Sequence, residues 1–269
     1  MDRRNLFLAA GECLGCVDVD EKLALTDATA ARFAAGDLEP LRSGAAAPVA
    51  APGRPARPQL VGPRDLPRRG LGTQEGRAAL VHAVAHIEFN AVNLAWDAVQ
   101  RFRDMPDEYY RDWIGVAVDE ARHFRLLRAR LADLGYAYGD FDAHDGLWEM
   151  AIKTSSSCME RMALVPRVLE ARGLDVTPAM IARLRQVGDD RTVAILEVIL
   201  HEEVAHVAAG SRWFSWCCER AGADPAVLFA RLVERHAKGA VRPPFNEPAR
   251  LAAGFTAQEL ACLRSGFAA

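Results

Sequence analysis

The motif Glu-x-x-His occurs twice in the chain, as Glu120–His123 and as Glu203–His206. Three residues advance an α-helix by about 300°, so the two side chains of each motif share one face of a helix. A carboxylate and an imidazole on one face can bind a metal ion together. This mixture of oxygen and nitrogen donors suits iron or manganese better than a metal that prefers thiolates.

Apolar residues surround both motifs at helical spacing. A carboxylate on such a core-facing stripe is costly unless a positive charge meets it. We therefore expect each motif to face a buried cation. The stripe residues are Trp113, Val116, Ala117, Phe124 and Leu127 around the first motif, and Leu196, Ile199, Val207, Gly210 and Phe214 around the second.

Two further glutamates lie in apolar stripes that precede the motifs. Glu88 lies 32 residues before Glu120, and Glu170 lies 33 residues before Glu203. The two motifs are 83 residues apart, measured between their glutamates or between their histidines. The pattern thus repeats once, as two antiparallel helix pairs would give. Four glutamates and two histidines in one bundle core form the ligand set of a dinuclear carboxylate site.

Other polar residues near the motifs are interpreted as structural. Glu160 competes with Glu170, but it lies 43 residues before Glu203, outside the repeat, and fits a helix-start or solvent-facing carboxylate better. His201 is five residues from His206, which does not match the zinc-peptidase motif. The remaining candidates are interpreted as surface, packing or neighbouring groups: Asp119, Glu197, Glu202, His82, His86 and the lone Cys13-x-x-Cys16.

Hydrophobic periodicity predicts an all-α protein whose core is a four-helix bundle. The long helices are predicted at about 74–103, 107–134, 147–172 and 189–220, and shorter ones at 177–188, 224–237 and 256–266. Pro106 starts the second long helix, and Gly135 and Gly173 end the second and third. Pro166 removes a backbone hydrogen bond near Glu170 and predicts a kink there.

The predicted bundle spans residues 74–222 and is flanked by three other segments. An N-terminal helical segment, 1–43, precedes it, and short helices in 223–269 pack on it. The segment 44–73 between them has prolines at six positions, which excludes a helix. This segment is either a loose linker or an arm that lies against the rest of the protein.

Composition excludes several classes of protein. The 269 residues are 51% hydrophobic with a net charge of −3, which argues against disorder and against a protein that binds nucleic acid mainly by charge. No stretch approaches the roughly 18 apolar residues of a membrane span. Six cysteines are too sparse for a disulfide framework, so we expect a cytoplasmic protein with reduced thiols.

The motifs and their surroundings resemble the ferritin-like di-iron superfamily, which includes bacterioferritin, rubrerythrin and the small subunit of ribonucleotide reductase. More narrowly, the chain resembles an uncharacterised bacterial ferritin-like family, a domain of unknown function. The matching tracts lie in 57–91, 119–149, 161–175 and 201–214. The resemblance implies two iron ions, or one manganese and one iron ion. It places their ligands at Glu88, Glu120, His123, Glu170, Glu203 and His206.

The resemblance implies an oxygen-dependent oxidoreductase, an oxidase or a hydroxylase, acting on a small molecule that the sequence does not identify. Because the superfamily includes a transfer-RNA modifying hydroxylase, an RNA substrate stays open, although the mildly acidic charge gives it no support. By analogy, a homodimer is expected. Two alternatives remain: a non-catalytic protein that binds or stores metal, and a metal-free helical interaction module.

Overall fold

The chain is described by a computed structural model that covers residues 4–41, 48–67, 69–237, 239 and 241–265. These residues are helical or irregular. They form two isolated β-bridges, between Asn5 and Glu39 and between Leu60 and Ala143, and no strand. The all-α prediction is therefore confirmed for this part of the chain. None of its helices combines the length and the apolar character that crossing a membrane requires.

The chain divides after Trp148 into two compact units, an N-terminal unit and a C-terminal unit. The division falls inside helix α5, Gly146–Lys153. Before α5, the N-terminal unit contains α1 (Leu6–Gly15), α2 (Val19–Ala34), α3 (Gln74–Arg101) and α4 (Asp107–Asp133). After α5, the C-terminal unit contains α6 (Cys158–Leu164), a π-helical turn (Val165–Glu170), α7 (Ala171–Gln186), α8 (Asp190–Ala221), α9 (Pro225–His236), α10 (Glu247–Ala252) and α11 (Ala257–Ser265).

Helices α3 and α4 form the antiparallel pair at the centre of the N-terminal unit. Thr73 begins α3 because its side chain accepts a hydrogen bond from the Gly76 backbone N–H. Pro106 precedes α4, as predicted, and Gly135 has a positive φ just after the helix ends. Both helices begin where the sequence predicts and end within about two residues of the predicted end.

The N-terminal segment packs on α3 through polar contacts as well as apolar ones. The Lys22 ammonium is fully buried and donates to the Cys13 and Leu14 carbonyls at 3.0 and 2.9 Å and to Asn93 Oδ1 at 2.6 Å. The Trp96 indole N–H donates to Thr26 Oγ1 at 2.9 Å. These contacts join α1, α2 and α3 with few unpaired polar groups.

The described part of the proline-rich segment makes specific contacts within the N-terminal unit. The Gly53 N–H donates to the Leu14 carbonyl at 2.8 Å, so close that a Cβ atom on Gly53 would lie 2.2 Å from the Gly15 carbonyl oxygen. The Arg54 guanidinium donates to both carboxylate oxygens of Asp145 at 2.5 and 2.7 Å. Because Gly53 has no side chain, the segment can lie directly on the end of α1.

The third predicted helix, 147–172, is wrong in both its continuity and its end. The helix breaks at residues 154–157, and Ser157 starts a new helix by accepting a hydrogen bond from the Glu160 N–H. From there the backbone stays helical to Gln186, with Gly173 and Pro178 inside α7. Gly173 keeps a negative φ, unlike the helix-ending glycines. Burial of Leu174, Ile181 and Leu184 outweighs the cost of about 1 kcal/mol that a glycine adds inside a helix.

Candidate metal centre

Three of the predicted ligands meet in the N-terminal unit, where α3 and α4 pack together. Glu88 on α3 and Glu120 and His123 on α4 are 3%, 1% and 0% exposed. His123 Nδ1 lies 3.2 Å from Glu88 Oε2 and 3.4 Å from Glu120 Oε2. We call these three residues the N-terminal cluster.

The antiparallel register of α3 and α4 explains why these residues meet. At the far end of the pair, the Tyr109 hydroxyl donates to the Ala98 carbonyl at 3.4 Å. Stepping back ten residues along α3 and forward eleven along α4 leads from this contact to Glu88 and Glu120. Since each step is about 1.5 Å in both helices, residues that far from a contact lie at about the same level of the pair, and the apolar stripes that contain them turn them toward each other.

The N-terminal cluster concentrates negative charge where water cannot screen it. Burial, and then the neighbouring Glu120 carboxylate, raise the pKa of Glu88 well above its usual value of 4.5. Burial lowers the pKa of His123, but hydrogen bonds to Glu120 and Glu88 outweigh burial and raise that pKa to about 11. The cluster therefore requires a positive charge, which either a proton or a metal cation can supply.

The donor set of the N-terminal cluster fits a divalent cation. One ligand atom from each of its three residues lies within 4.8 Å of the others. A metal ion at ligand distances of about 2.0 to 2.2 Å needs its donor atoms within about 4.4 Å of one another, so small side-chain adjustments would let one ion contact all three residues. Two carboxylates with one imidazole suit iron or manganese, and thiolates are absent from the cluster.

The second motif forms a similar pair in the C-terminal unit. His206 Nδ1 lies 3.5 Å from Glu203 Oε1, and the two side chains are 3% and 12% exposed. The other oxygen of that carboxylate, Glu203 Oε2, is buried and has no hydrogen-bond partner among the described residues. An unpaired buried carboxylate oxygen is costly, and a bound cation would remove this cost. We call these two residues the C-terminal pair.

The structure places Glu170, the sixth predicted ligand, in the same unit as the C-terminal pair. It is the last residue of the π-helical turn and is half-buried. The π-helical turn packs against α8, which carries Glu203 and His206. The structure thus groups the predicted ligands by unit: the N-terminal cluster in one, and the C-terminal pair with Glu170 in the other.

The polar residues interpreted as structural have ordinary environments. Glu160 lies in the first turn of α6, where Ser157 caps its N–H at 3.2 Å. Glu197 forms an ion pair with Arg185, and Asp119 forms one with Arg122. His201, although close to the second motif, is exposed.

The aromatic group around Tyr138 includes one contact that was not predicted from the sequence, the packing of Tyr138 on Phe89 and Phe124. The Tyr138 ring lies 5.6 Å from the Phe89 ring and 4.9 Å from the Phe124 ring, measured between centroids. Its hydroxyl lies 2.9 Å from His86 Nδ1, and His82 Nε2 accepts a hydrogen bond from the Gly139 N–H at 2.9 Å. Tyr138 is half-buried and lies in a loop, so no periodic pattern indicates that it packs here.

Burial sets the charge state of this aromatic group. It lowers the pKa of His82 and of His86 to about 4 and raises the pKa of Tyr138 above its usual value of 10. All three side chains are therefore neutral at physiological pH.

The Cys-x-x-Cys sequence consists of two free thiols. Cys13 is buried and lies 3.3 Å from Thr29 Oγ1, and burial raises its pKa to about 11. Cys16 is half-buried and donates to the Asp18 carbonyl at 3.4 Å. A thiol as basic as Cys13 is a poor nucleophile and a poor redox group at neutral pH.

Comparison with known protein families shows the family to which this chain belongs. The model of one family, described as a protein of unknown function (DUF455), matches residues 15–261. The chain belongs to the DUF455 family. This match includes all six predicted ligands and the C-terminal unit as far as residue 261, within α11.

An uncharacterized protein of Haemophilus influenzae is 46% identical over 213 residues, which cover 77% of this chain and 74% of that protein. No solved structure shows significant similarity. The family match and the bacterial relative confirm the expectation of an uncharacterised family with bacterial members.

Proposed function

We propose that this protein is a dinuclear metal carboxylate protein and that it acts as an oxygen-dependent oxidoreductase. In this proposal α3, α4, α8 and the helical run from α6 to α7 form a ferritin-like four-helix bundle. The N-terminal cluster and the C-terminal pair, together with Glu170, bind two iron ions, or one manganese and one iron ion, in its core.

The observation that carries the proposal is the buried N-terminal cluster. Two carboxylates and one imidazole, all at most 3% exposed, face one another within 4.8 Å. A protein built only for stability would place apolar residues here, because replacing buried charges by apolar groups is often stabilising. Costly groups retained at a buried position are typical of functional sites.

The internal repeat supports extending the site to both units. His123 and His206 both direct Nδ1 toward the glutamate three residues earlier, at 3.4 and 3.5 Å. Each unit also has a further glutamate, Glu88 or Glu170, on the helical segment that packs against the motif helix. Two sets with the same donors, 83 residues apart in the chain, are what a site for two similar ions requires.

The side chains around the N-terminal cluster determine what reaches it. Phe89 and Phe124 follow Glu88 and His123 in the chain and pack 5.5 Å apart, and Tyr138 packs on both, so these rings would limit the access of water to the proposed site. When bound, a pair of iron or manganese ions supplies electrons and open coordination positions for dioxygen. The four glutamate carboxylates and the two imidazoles would hold these ions, and both histidines face the neighbouring glutamates with Nδ1.

Metal analysis of the full chain, produced in iron-rich medium, tests this proposal. We expect about two equivalents of iron or manganese per chain, and loss of metal in His123→Ala and in His206→Ala. His201→Ala is the matched control, because His201 lies on the same helix as His206 but is exposed. A wild-type protein that binds no stoichiometric metal would refute the proposal.

Oxygen consumption tests the oxidoreductase part separately. We expect the Fe(II)-loaded protein to consume dioxygen, and Glu120→Ala to abolish this consumption because it removes one carboxylate of the N-terminal cluster. Iron uptake far beyond two equivalents would indicate storage instead. Stable binding of two equivalents without any oxygen consumption would leave a metal protein and exclude the oxidoreductase.

A further inference from the structure

The π-helical turn is an irregular element directly before α7 in the C-terminal unit. Its characteristic hydrogen bond runs from the Ala171 N–H to the Pro166 carbonyl, five residues back instead of four. Pro166 has no N–H, so it cannot make the hydrogen bond that an α-helix would place at this position. Such a turn accommodates one extra residue and changes the direction in which the following side chains point. Glu170 is the last residue of the turn.

Pro166 packs directly on the backbone of α8 at Gly210. A Cβ atom on Gly210 would lie 2.4 Å from Pro166 Cγ and 2.5 Å from Pro166 Cβ, which is closer than any such contact allows. Position 210 therefore requires glycine although its φ is an ordinary helical one. Gly210 lies one helical turn after His206, on the same face of α8.

The contact between Pro166 and Gly210 determines the register of the two segments. They are antiparallel, because Cys158 pairs with Cys217 while Arg167 Nε donates to Ser211 Oγ at 3.1 Å. Four residues forward from Pro166 is Glu170, and four residues back from Gly210 is His206. The close contact thus sets Glu170 at the level of His206, about one turn from Glu203.

Arg167 holds the turn in place through charge and aromatic contacts. Its side chain is 2% exposed, and Nη2 donates to Glu259 Oε1 on α11 at 2.7 Å. The guanidinium carbon lies within 4.9 Å of three ring centroids, those of Phe214, Phe229 and Phe255. A planar cation enclosed by rings and paired with a buried carboxylate has little freedom to move.

We propose that Arg167, Pro166 and Gly210 are positioning residues, which hold the π-helical turn so that Glu170 is presented to the metal ion at the C-terminal pair. This inference rests on the proposed metal centre and adds which residues orient its sixth ligand, Glu170. Residues outside the ligand set that orient a ligand typically change metal affinity by about 10- to 100-fold when replaced.

A double-mutant cycle on metal affinity distinguishes positioning from a purely structural role. Equilibrium binding of Mn(II) is measured for the wild type, Gly210→Ala, Glu170→Gln and the double variant. We expect each single variant to weaken binding of one equivalent about tenfold or more. The double variant should be no weaker than Glu170→Gln alone, because a displaced turn no longer presents the carboxylate.

Two further variants make the result independent of folding defects. Gly173→Ala is the matched control, since a Cβ atom on Gly173 meets nothing within 4 Å, and it should leave the affinity unchanged. Arg167→Lys keeps the charge beside Glu259 but loses the planar group that the rings enclose. If Gly210→Ala does not fold, Arg167→Lys replaces it in the same cycle, with the same expectation.

The outcomes separate this inference from the proposed function. Wild-type affinity in Gly210→Ala and Arg167→Lys, or effects that add to that of Glu170→Gln, would overturn the positioning role. The proposed metal centre would still stand in that case if His123→Ala loses metal. If the wild type binds no Mn(II) or iron at all, the proposed metal centre fails and the positioning role fails with it.

Discussion

The buried lysine in α2 gives a prediction whose size follows from its contacts. In Lys22→Met, three hydrogen bonds to buried acceptors are lost, two of them to the last carbonyls of α1. Each such loss costs about 2 kcal/mol, which makes about 6 kcal/mol for the three. Removing the buried ammonium offsets part of this cost. Burial lowers the pKa of Lys22 from 10.5 to about 8, so the desolvation that the substitution relieves corresponds to about 3 kcal/mol. We therefore expect Lys22→Met to lower the free energy of unfolding by about 3 kcal/mol at pH 7.

The effect should grow with pH, because the pKa of Lys22 is lower in the folded state. Between pH 8 and about 10.4 the unfolded chain binds more protons than the folded protein, so the wild type gains stability as the pH rises through this window. At pH 9 the gain from Lys22 is about 1 kcal/mol. Lys22→Met lacks this gain, so the difference between the two proteins should increase from pH 7 to pH 9. Burial holds the pKa of the neighbouring Cys13 thiol at about 11 although Lys22 lowers it, so the folded thiol stays protonated at pH 9 in both proteins and adds little to the difference.

Urea denaturation at pH 7 and pH 9 measures both quantities, and hydrogen exchange of the α1 amides shows whether the loss is local. Lys153→Met is the matched control, because Lys153 is exposed, and it should change the stability by less than about 0.5 kcal/mol. The reasoning is refuted if Lys22→Met is as stable as Lys153→Met at pH 7, or if its deficit shrinks at pH 9.

Three other substitutions or reactions test separate features. Thr26→Val leaves the buried Trp96 indole N–H without its acceptor and should cost about 1 to 3 kcal/mol in urea denaturation. Gly53→Ala should displace the proline-rich segment from α1 and speed its cleavage by trypsin, since the new Cβ atom would lie 2.2 Å from a carbonyl oxygen. Iodoacetamide at pH 8 should modify Cys217, whose pKa is lowered by a hydrogen bond to a neighbouring thiol, faster than Cys218, whose pKa burial raises to about 11.

Each of these predictions has its own control. Thr26→Ser retains a hydroxyl and should restore most of the lost stability. Gly72→Ala adds a Cβ atom that meets nothing within 4 Å, so it should leave trypsin cleavage unchanged. Cys158→Ala removes the thiol paired with Cys217 and should slow its alkylation. Equal alkylation rates at Cys217 and Cys218 would contradict the stated pKa order.

The sequence was sufficient to locate the long helices where local signals agree with the packing. Helix α8 lies within one residue of its predicted bounds, because Gly222 can adopt the positive φ that ends it. The same holds for the start of α4 after Pro106. Apolar periodicity and these end signals depend on residues close in the chain, and such interactions can be deduced from sequence alone.

The pairing of Glu88 with the first motif also follows from local information. A short connection between two long helices makes them antiparallel neighbours. Residues equally far from that connection then lie at the same level, and the apolar stripes show which side faces the partner helix, so Glu88, Glu120 and His123 could be grouped before any distance was known. In the C-terminal unit this argument is weaker, because the helix that carries Glu170 begins only at Cys158 and passes through a π-helical turn.

Only the tertiary structure determined the features that depend on residues far apart in the chain. Gly173 and Pro178 stay inside α7 because packing against α8 outweighs their local preference to end a helix. Tyr138 is half-buried and packs on Phe89 and Phe124 although it belongs to a loop. The enclosure of Arg167 requires rings from α8 and α9 and a carboxylate from α11. Sequence periodicity shows which face of each helix is apolar, whereas a close contact such as that of Pro166 with Gly210 exists only once the helices are packed.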